Sequence, residues 1–405
     1  MTVQDICAPR AEAAPQLGVA LTILALSCGA FGIGVGEFAT MGLLPEVATG
    51  FRVSVPEAGY AIMAYAAGVV IGAPLIAVAA TRLTRRALLL ILMTLFALGN
   101  LASAAAPSLG MLIALRFLTG LPHGAYFGVA ALVAASLAPP TRRTQMVGYV
   151  MLGLTVATLI GTPAMALFGE MLSWRVMFLA DGLIGALTVA LIFRYLPQDE
   201  RPKLTGVVRE LIAFTRPQVL LTLAVTATGF GGMFSIFSYI AATATDYARL
   251  SVGYVPVILI LFGLGMNVGN LVGSRLADRS LMGTIGGVMV FNIFTMTAFG
   301  LFAQLPVALS ILTFLLGTGL AAAPAIQTRL MDVAREGQTL AAASMHSAFN
   351  IANALGAWLG GRVIAEGFGY AATGYVGAVL SFVGLCVFAV SWGLETRGRA
   401  VVRAF

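Results

Sequence analysis

Apolar runs of bilayer-crossing length follow one another along almost the whole chain, and this pattern restricts the possible folds more than any other feature. They fall near 18–43, 57–80, 87–106, 109–138, 147–169, 175–196, 218–243, 253–276, 282–303, 306–329, 339–364 and 370–394. A spanning helix needs about 20 mostly apolar residues. Twelve such spans with short loops use up nearly all 405 residues, leaving no room for a separate soluble catalytic domain. Only 10% of the residues are charged and 60% are hydrophobic. A soluble domain carries roughly 25% charged residues, so lipid must be the solvent for most of this surface.

The expectation is an all-α integral membrane protein of twelve transmembrane helices in two six-helix bundles. Its divisions are a tail at 1–17, a bundle at 18–196, a linker at 197–217, a second bundle at 218–396 and a tail at 397–405. The first apolar run is too long for a cleaved signal segment and fits an uncleaved anchor. In the linker, Val207, Leu211 and Phe214 recur near helical spacing. That stretch reads either as a helix lying on the membrane surface or as a solvated connection.

The formal charge is +7, from 22 arginines and one lysine against 16 acids. The arginines sit between apolar runs, so they report topology rather than a nucleic-acid partner. With both termini in the cytoplasm, the inside segments hold Arg82, Arg85, Arg86, Arg142, Arg143, Arg194, Arg201, Lys203, Arg209, Arg216, Arg275, Arg279, Arg329 and Arg335, besides those in the tails. The outside ends hold only Arg52, Arg175, Arg249 and Arg362. Cys7, Cys28 and Cys386 show neither pairing nor metal spacing, so no metal and no cofactor are expected. No phosphate-binding loop of the G-x-x-x-x-G-K-[ST] kind is present, which argues against ATP as the direct energy source.

A shift of 197 residues superposes the two halves without a gap. Gly32 falls on Gly229, Gly68 on Gly265, Gly72 on Gly269, Gly120 on Gly317 and Arg82 on Arg279. Parallel repeats of this kind occur in transporters whose substrate site lies at the midplane between the halves. Small residues four apart, as at Gly68 and Gly72 or Gly120, Gly124 and Gly128, let helix backbones approach closely. Pro122, Pro163 and Pro324 interrupt spans, which is tolerated where helices line a cavity.

Several strings carry a specific resemblance. The loop after the second span runs from Ala77 through Thr81, Arg82, Thr84, Arg85 and Arg86, and its second-half counterpart keeps Asp278-Arg279. Span four carries Arg116, Gly120 and Gly124 at four-residue spacing, and span five has Gly161-Thr162-Pro163. Further strings are Gly36-Glu37-Phe38, His123 to Phe127 and Trp174 to Phe178. At these motifs the chain resembles the major facilitator superfamily over nearly its whole length, within the twelve-helix proton-antiporter branch of drug and sugar exporters. The resemblance implies that Arg82, Arg85, Arg86, Asp278 and Arg279 belong to conformational latches, and it links the Arg116 motif to energy coupling. Thr81 stands where the family's first loop has Asp, so that latch lacks its carboxylate.

An ionisable group inside a span costs about 2.5–3.5 kcal/mol on insertion scales, so each needs a compensating environment. Glu37, Arg116, His123 and Asp181 are the candidates for proton coupling. Glu37 has no partner at helical spacing, and a carboxyl that can gain and lose a proton in a cavity is what coupling requires. His123 reads equally as a titrating group or a hydrogen-bonded packing residue. Asp181, on what the resemblance makes an outer scaffold helix, reads first as locally bonded. His346, Asn350 and Asn353 form one polar stripe, and Asn267 and Asn270 another. Both face inward, either bonding across the halves or lining a wet cavity. Phe31, Tyr126, Phe234, Ser235 and Tyr239 complete the candidate cavity wall.

The reading is a monomeric secondary transporter whose partners are protons, a small neutral or weakly charged solute and the lipid bilayer. Proton-coupled export by alternating access leads; symport or uniport is the alternative, with a non-transporting sensor or an intramembrane enzyme far behind. The expected location is a bacterial-type inner membrane.

Overall fold

The structure, a computed structural model, describes residues 16–79, 83–198, 212, 214–335 and 337–403. Each of the twelve apolar runs is helical. In the first half these are α1 (Gln16–Gly42), α2 (Tyr60–Ala79), α3 (Arg85–Ala104), α4 (Leu109–Ser136), α5 and α6 (Trp174–Tyr195). Helix α5 is composite: Arg143–Val156 continues through a π turn, Ala157–Gly161, into Thr162–Met171. In the second half α7 is Pro217–Gly229 followed by Gly231–Phe237, α8 is Val255–Arg279 and α9 is Leu281–Phe302. Helix α10 runs from Pro306–Thr318 through a 3₁₀ turn, Gly319–Ala322, into Ala323–Ala334. Helices α11 (Gln338–Ala365) and α12 (Ala372–Arg403) complete the set. Among the described residues there is no strand.

Among the described residues, ten of these spans are long and apolar enough to cross a membrane. The other two are α2 and α11. With 28 residues, α11 is about 42 Å long, but His346, Asn350 and Asn353 lower its hydropathy. Two boundaries differ from expectation. The connection after α1 contains short helices at Leu44–Phe51 and Val55–Ala58, and α12 runs on through most of the stretch expected as a tail. The N-terminal tail, most of the linker with Val207 and Leu211, and Thr81 and Arg82 lie outside the described residues.

Prolines explain where two spans change pitch. Pro163 and Pro324 cannot donate to the carbonyl four residues earlier. That carbonyl falls in the π turn of α5 and in the 3₁₀ turn of α10 respectively. Pro122 lies inside α4 without a change of helix type.

The 197-residue shift reappears as geometry. A Cβ placed at Gly68 would run into the carbonyl of Phe117, and one at Gly120 into that of Tyr65. In the second half Gly265 meets the carbonyl of Phe314, and Gly317 that of Phe262. Each residue of the second set is 197 beyond its counterpart, so α2 lies on α4 as α8 lies on α10. The backbone repeats as well. Arg52 and Arg249, also 197 apart, are left-handed at φ 57° and 58°, a conformation rare for a residue with a Cβ.

The halves meet along three seams, with α2 and α4 against α11 and α5 against α8. The second half's apolar core reaches across this boundary to Leu132 of α4 and to Val147 and Met151 of α5.

Candidate functional site

Arg116 stands at the centre of the first half, fully buried on α4. One Nη donates to the Gly36 carbonyl of α1 at 2.9 Å. The guanidinium lies over the Tyr65 ring of α2, 4.1 Å from its centroid, and 5.7 Å from that of Phe178 on α6. Stacking on aromatic faces suits the planar, weakly hydrated arginine head. Its Nε and other Nη have no hydrogen-bond partner.

Asp181 corrects the expectation of a locally bonded group on an outer helix. It is fully buried on α6, and neither carboxylate oxygen has a hydrogen-bond partner. It packs against α1 where Gly36 and Gly32 leave room: a Cβ at Gly36 would meet one carboxylate oxygen, and a Cβ at Gly32 would lie 3.5 Å from the other. Among the described residues, no ion pair within 4 Å joins Arg116 to Asp181 or Glu37. The three are neighbours at α1, where Arg116 bonds to the Gly36 carbonyl, Asp181 packs on Gly36 and Glu37 is the next residue. Two buried acids, from α1 and α6, therefore lie around one buried arginine. In the second half Phe234, Thr313 and Ala378 occupy the positions 197 beyond Glu37, Arg116 and Asp181.

Tyr65 links this cluster to the boundary between the halves. Arg116 and His123 are seven residues apart on α4, about 10.5 Å along the axis. Tyr65 fills that gap, with its ring under Arg116 and its hydroxyl 3.0 Å from Nδ1 of His123. Nε2 of His123 lies 3.1 Å from Nδ1 of His346 on α11. The two histidines, read as separate groups from sequence, thus touch across the halves. The Phe127 ring stacks on His346 at 4.1 Å. Nε2 of His346 is buried and unpartnered. Both histidines, Glu37 and Asn350 line an enclosed cavity of about 20 Å³ between the halves, with Phe38, Met345 and Phe349 among its apolar wall. That volume is of the order of one or two water molecules, so no solute-sized space is open there.

The other polar candidates divide by role. Asn267 and Asn270 stitch the α5–α8 seam: Asn267 donates to the Thr155 carbonyl and accepts from its hydroxyl, and Asn270 donates to the Gly148 carbonyl at 2.7 Å. Asn350 donates to the His346 carbonyl, and Asn353 is half-buried. Tyr126 donates to Leu26 within the first half. Ser235 donates to Gly232 and Thr373, and Tyr239 to Ala357, within the second. Phe234 packs edge-on against Phe349. Phe31 lines a different space, a groove of about 920 Å³ between α1 and α5 with no second-half residue in its wall.

At the arginine-rich end, Asp278 accepts from the backbone N–H groups of Thr144 and Gln145 at 2.8 and 2.9 Å. A second-half carboxylate therefore sits on the positive N-terminal turn of a first-half helix. Arg143 pairs with Asp332 at 3.1 Å across the same seam. Arg86 instead bonds to the Phe193 carbonyl inside the first half, while Arg85 and Arg279 are exposed.

Residues 26–296 match the model of the Major Facilitator Superfamily. The chain belongs to that superfamily. It is 39% identical over 370 residues to the inner membrane transport protein YdhP of Escherichia coli K12, covering 91% of this chain and 95% of that one. It is 30% identical over 344 residues to a chloramphenicol resistance protein of Streptomyces lividans, covering 83% and 87%. Among solved structures it resembles the transporter FucP in the outward conformation, with TM-score 0.73 and 15% identity over 92% of this chain and 99% of that one. The protein is a multi-pass membrane transporter with the all-α fold of this superfamily.

Sequence reasoning missed Tyr65 and Phe127. Aromatic residues on apolar spans read as packing, and nothing in their spacing marks a polar partner on another helix.

Proposed function

We propose that this transporter exports a small neutral or weakly charged solute in exchange for protons, with its arginine-rich end in the cytoplasm of a bacterial-type inner membrane. The observation that carries the reading is the burial of two acids, Glu37 and Asp181, around one buried arginine, Arg116. One guanidinium balances one carboxylate. Charge balance therefore leaves the pair one exchangeable proton, because an unbalanced charge in this environment is costly. The proton is held while the halves are closed over the cluster and exchanged when one side admits water. Differential stabilisation of the two arrangements is all that coupling requires.

The surface that would be uncovered between the halves favours a solute of low charge: Glu37, His123, His346 and Asn350 stand among apolar neighbours. The chloramphenicol-resistance relative makes phenicol-type drugs one class to test beside sugars and nucleosides.

In proteoliposomes with an imposed pH gradient, solute is expected to move against the inward flow of protons. Glu37→Gln and Asp181→Asn are each expected to abolish gradient-driven transport while leaving insertion and downhill solute exchange intact. Solute and protons moving in the same direction would replace export by symport. Undiminished proton-driven flux in both variants would refute the role of the two acids.

A further inference from the structure

The chain contains two histidines, and they meet where the first-half charge cluster reaches the second half through Tyr65. Tyr65 O–H, His123 and His346 form an unbroken chain from α2 through α4 to α11, with links of 3.0 and 3.1 Å. A short N···N approach between imidazoles requires one ring to donate and the other to accept. The far nitrogen of His346, Nε2, is then buried without a partner, on a ring that lines the small cavity between the halves.

We propose that His123 and His346 form a proton-binding site shared between the two halves, one that exists only while α4 and α11 are closed on each other. A proton enters from the cavity at Nε2 of His346. The bridging proton then passes from Nδ1 of His346 to Nε2 of His123, and the N–H bond broken on one ring is replaced by the N–H bond formed on the other. Nothing is oxidised or reduced. The positive charge moves from the second half to the first, where Nδ1 of His123 donates to the Tyr65 oxygen. Separation of the halves breaks the N–H···N link and leaves the proton on one ring, facing water. The pair thus registers whether the halves are closed.

The surrounding groups fix what this site senses. Glu37 lines the same cavity from α1, and Tyr65 faces His123 from α2. Arg116 lies behind Tyr65 on α4, with Asp181 of α6 beyond it. From α5 and α10 the neighbours are Met151, Leu154, Leu320 and Ala323, none of which titrates. Helix α7 contributes Phe230 and Phe234, packed on Phe349. Glu37 is thus the acid that lines the same cavity as His346. The inference needs only that the halves move, and it stands whether or not Glu37 and Asp181 carry the coupling.

With two histidines in the chain, ¹⁵N-histidine labelling of the full transporter in liposomes isolates these rings. At high pH a scalar coupling across the N–H···N link is expected between the two imidazoles. On acidification from neutral pH down to the limit of the transporter's stability, the rings are expected to take up one shared proton together. A second uptake should follow at least about one pH unit lower, as for strongly interacting sites. In His346→Gln, His123 should titrate as an isolated ring. In Glu37→Gln the coupling should persist even where proton-driven transport is lost, which separates this site from the acid pair. Two rings titrating independently, signals that do not move over that range, or no coupling at any pH would each overturn the proposal. A hydrogen bond with only a structural role would give the coupling without the pH response.

Discussion

Arg116 makes one hydrogen bond, to the Gly36 carbonyl, and is otherwise held by the faces of Tyr65 and Phe178. A desolvated cation over an aromatic face is worth about 2 kcal/mol. The choice of cation therefore matters beyond its charge. Lysine keeps the charge but presents a compact ammonium that cannot lie flat on Tyr65. Arg116→Lys is expected to insert and fold, and to lower the initial rate of proton-driven transport by about tenfold or more, the equivalent of about 1.4 kcal/mol. Rates measured in proteoliposomes at matched protein density check this, and an unchanged rate would remove the stacking from the argument. The same environment explains what sequence showed of the cluster. Glu37 and Arg116 stand out because a charge inside an apolar run is costly wherever it points. Their company does not, because Tyr65 and Asp181 lie 51 and 65 residues from Arg116 along the chain.

The helix α4 distributes its small residues among different neighbours. Gly120 faces Tyr65 of α2, whereas Gly124 and Gly128 face Ala342 and Ala343 of α11. A Cβ at Gly128 would lie 2.6 Å from the backbone nitrogen of Ala343, a separation that forces the helices apart. Gly128→Leu is accordingly expected to hold the halves open at the arginine-rich end. Spin labels at Thr141→Cys and Thr396→Cys, both exposed, in a background without native cysteines, should report a longer separation in Gly128→Leu than in the parent. An identical distance distribution would mean that α4 and α11 are not the closing surfaces. The glycine pattern gave the close approaches but not the partner, since four-residue spacing is the same whether a helix packs within its own half or against the other.

The arrangement of the whole molecule was the most legible part. Apolar run length is a local property imposed by the thickness of a bilayer, and all twelve runs are helices. The repeat was legible because the glycines that allow backbone contact recur at the same shift as the contacts themselves. Less legible were the short helices Leu44–Phe51 and Val55–Ala58, each too brief to stand out as a span, and the extension of α12 beyond its apolar run. Orientation rests on the arginines. In intact cells a membrane-impermeant thiol reagent should label Gln304→Cys, which is exposed at the arginine-poor end, and spare Thr141→Cys. The opposite pattern would invert the topology and, with it, the direction of export.

The glycine seam between α4 and α11 has a mechanical consequence. Where side chains interlock, rolling one helix over another means extracting and refitting them. Here main chain slides on main chain, as in a plain bearing without teeth. Among the described residues the hydrogen bonds that must be exchanged are few: Asp278 to the start of α5, the two asparagines of α8, Ser347 to the Val69 carbonyl, Arg143 to Asp332, and the imidazole pair. Inverting a population from 1:99 to 99:1 takes about 5.5 kcal/mol. Such a joint lets a proton or a bound solute, each worth only a few kcal/mol, throw the whole lever.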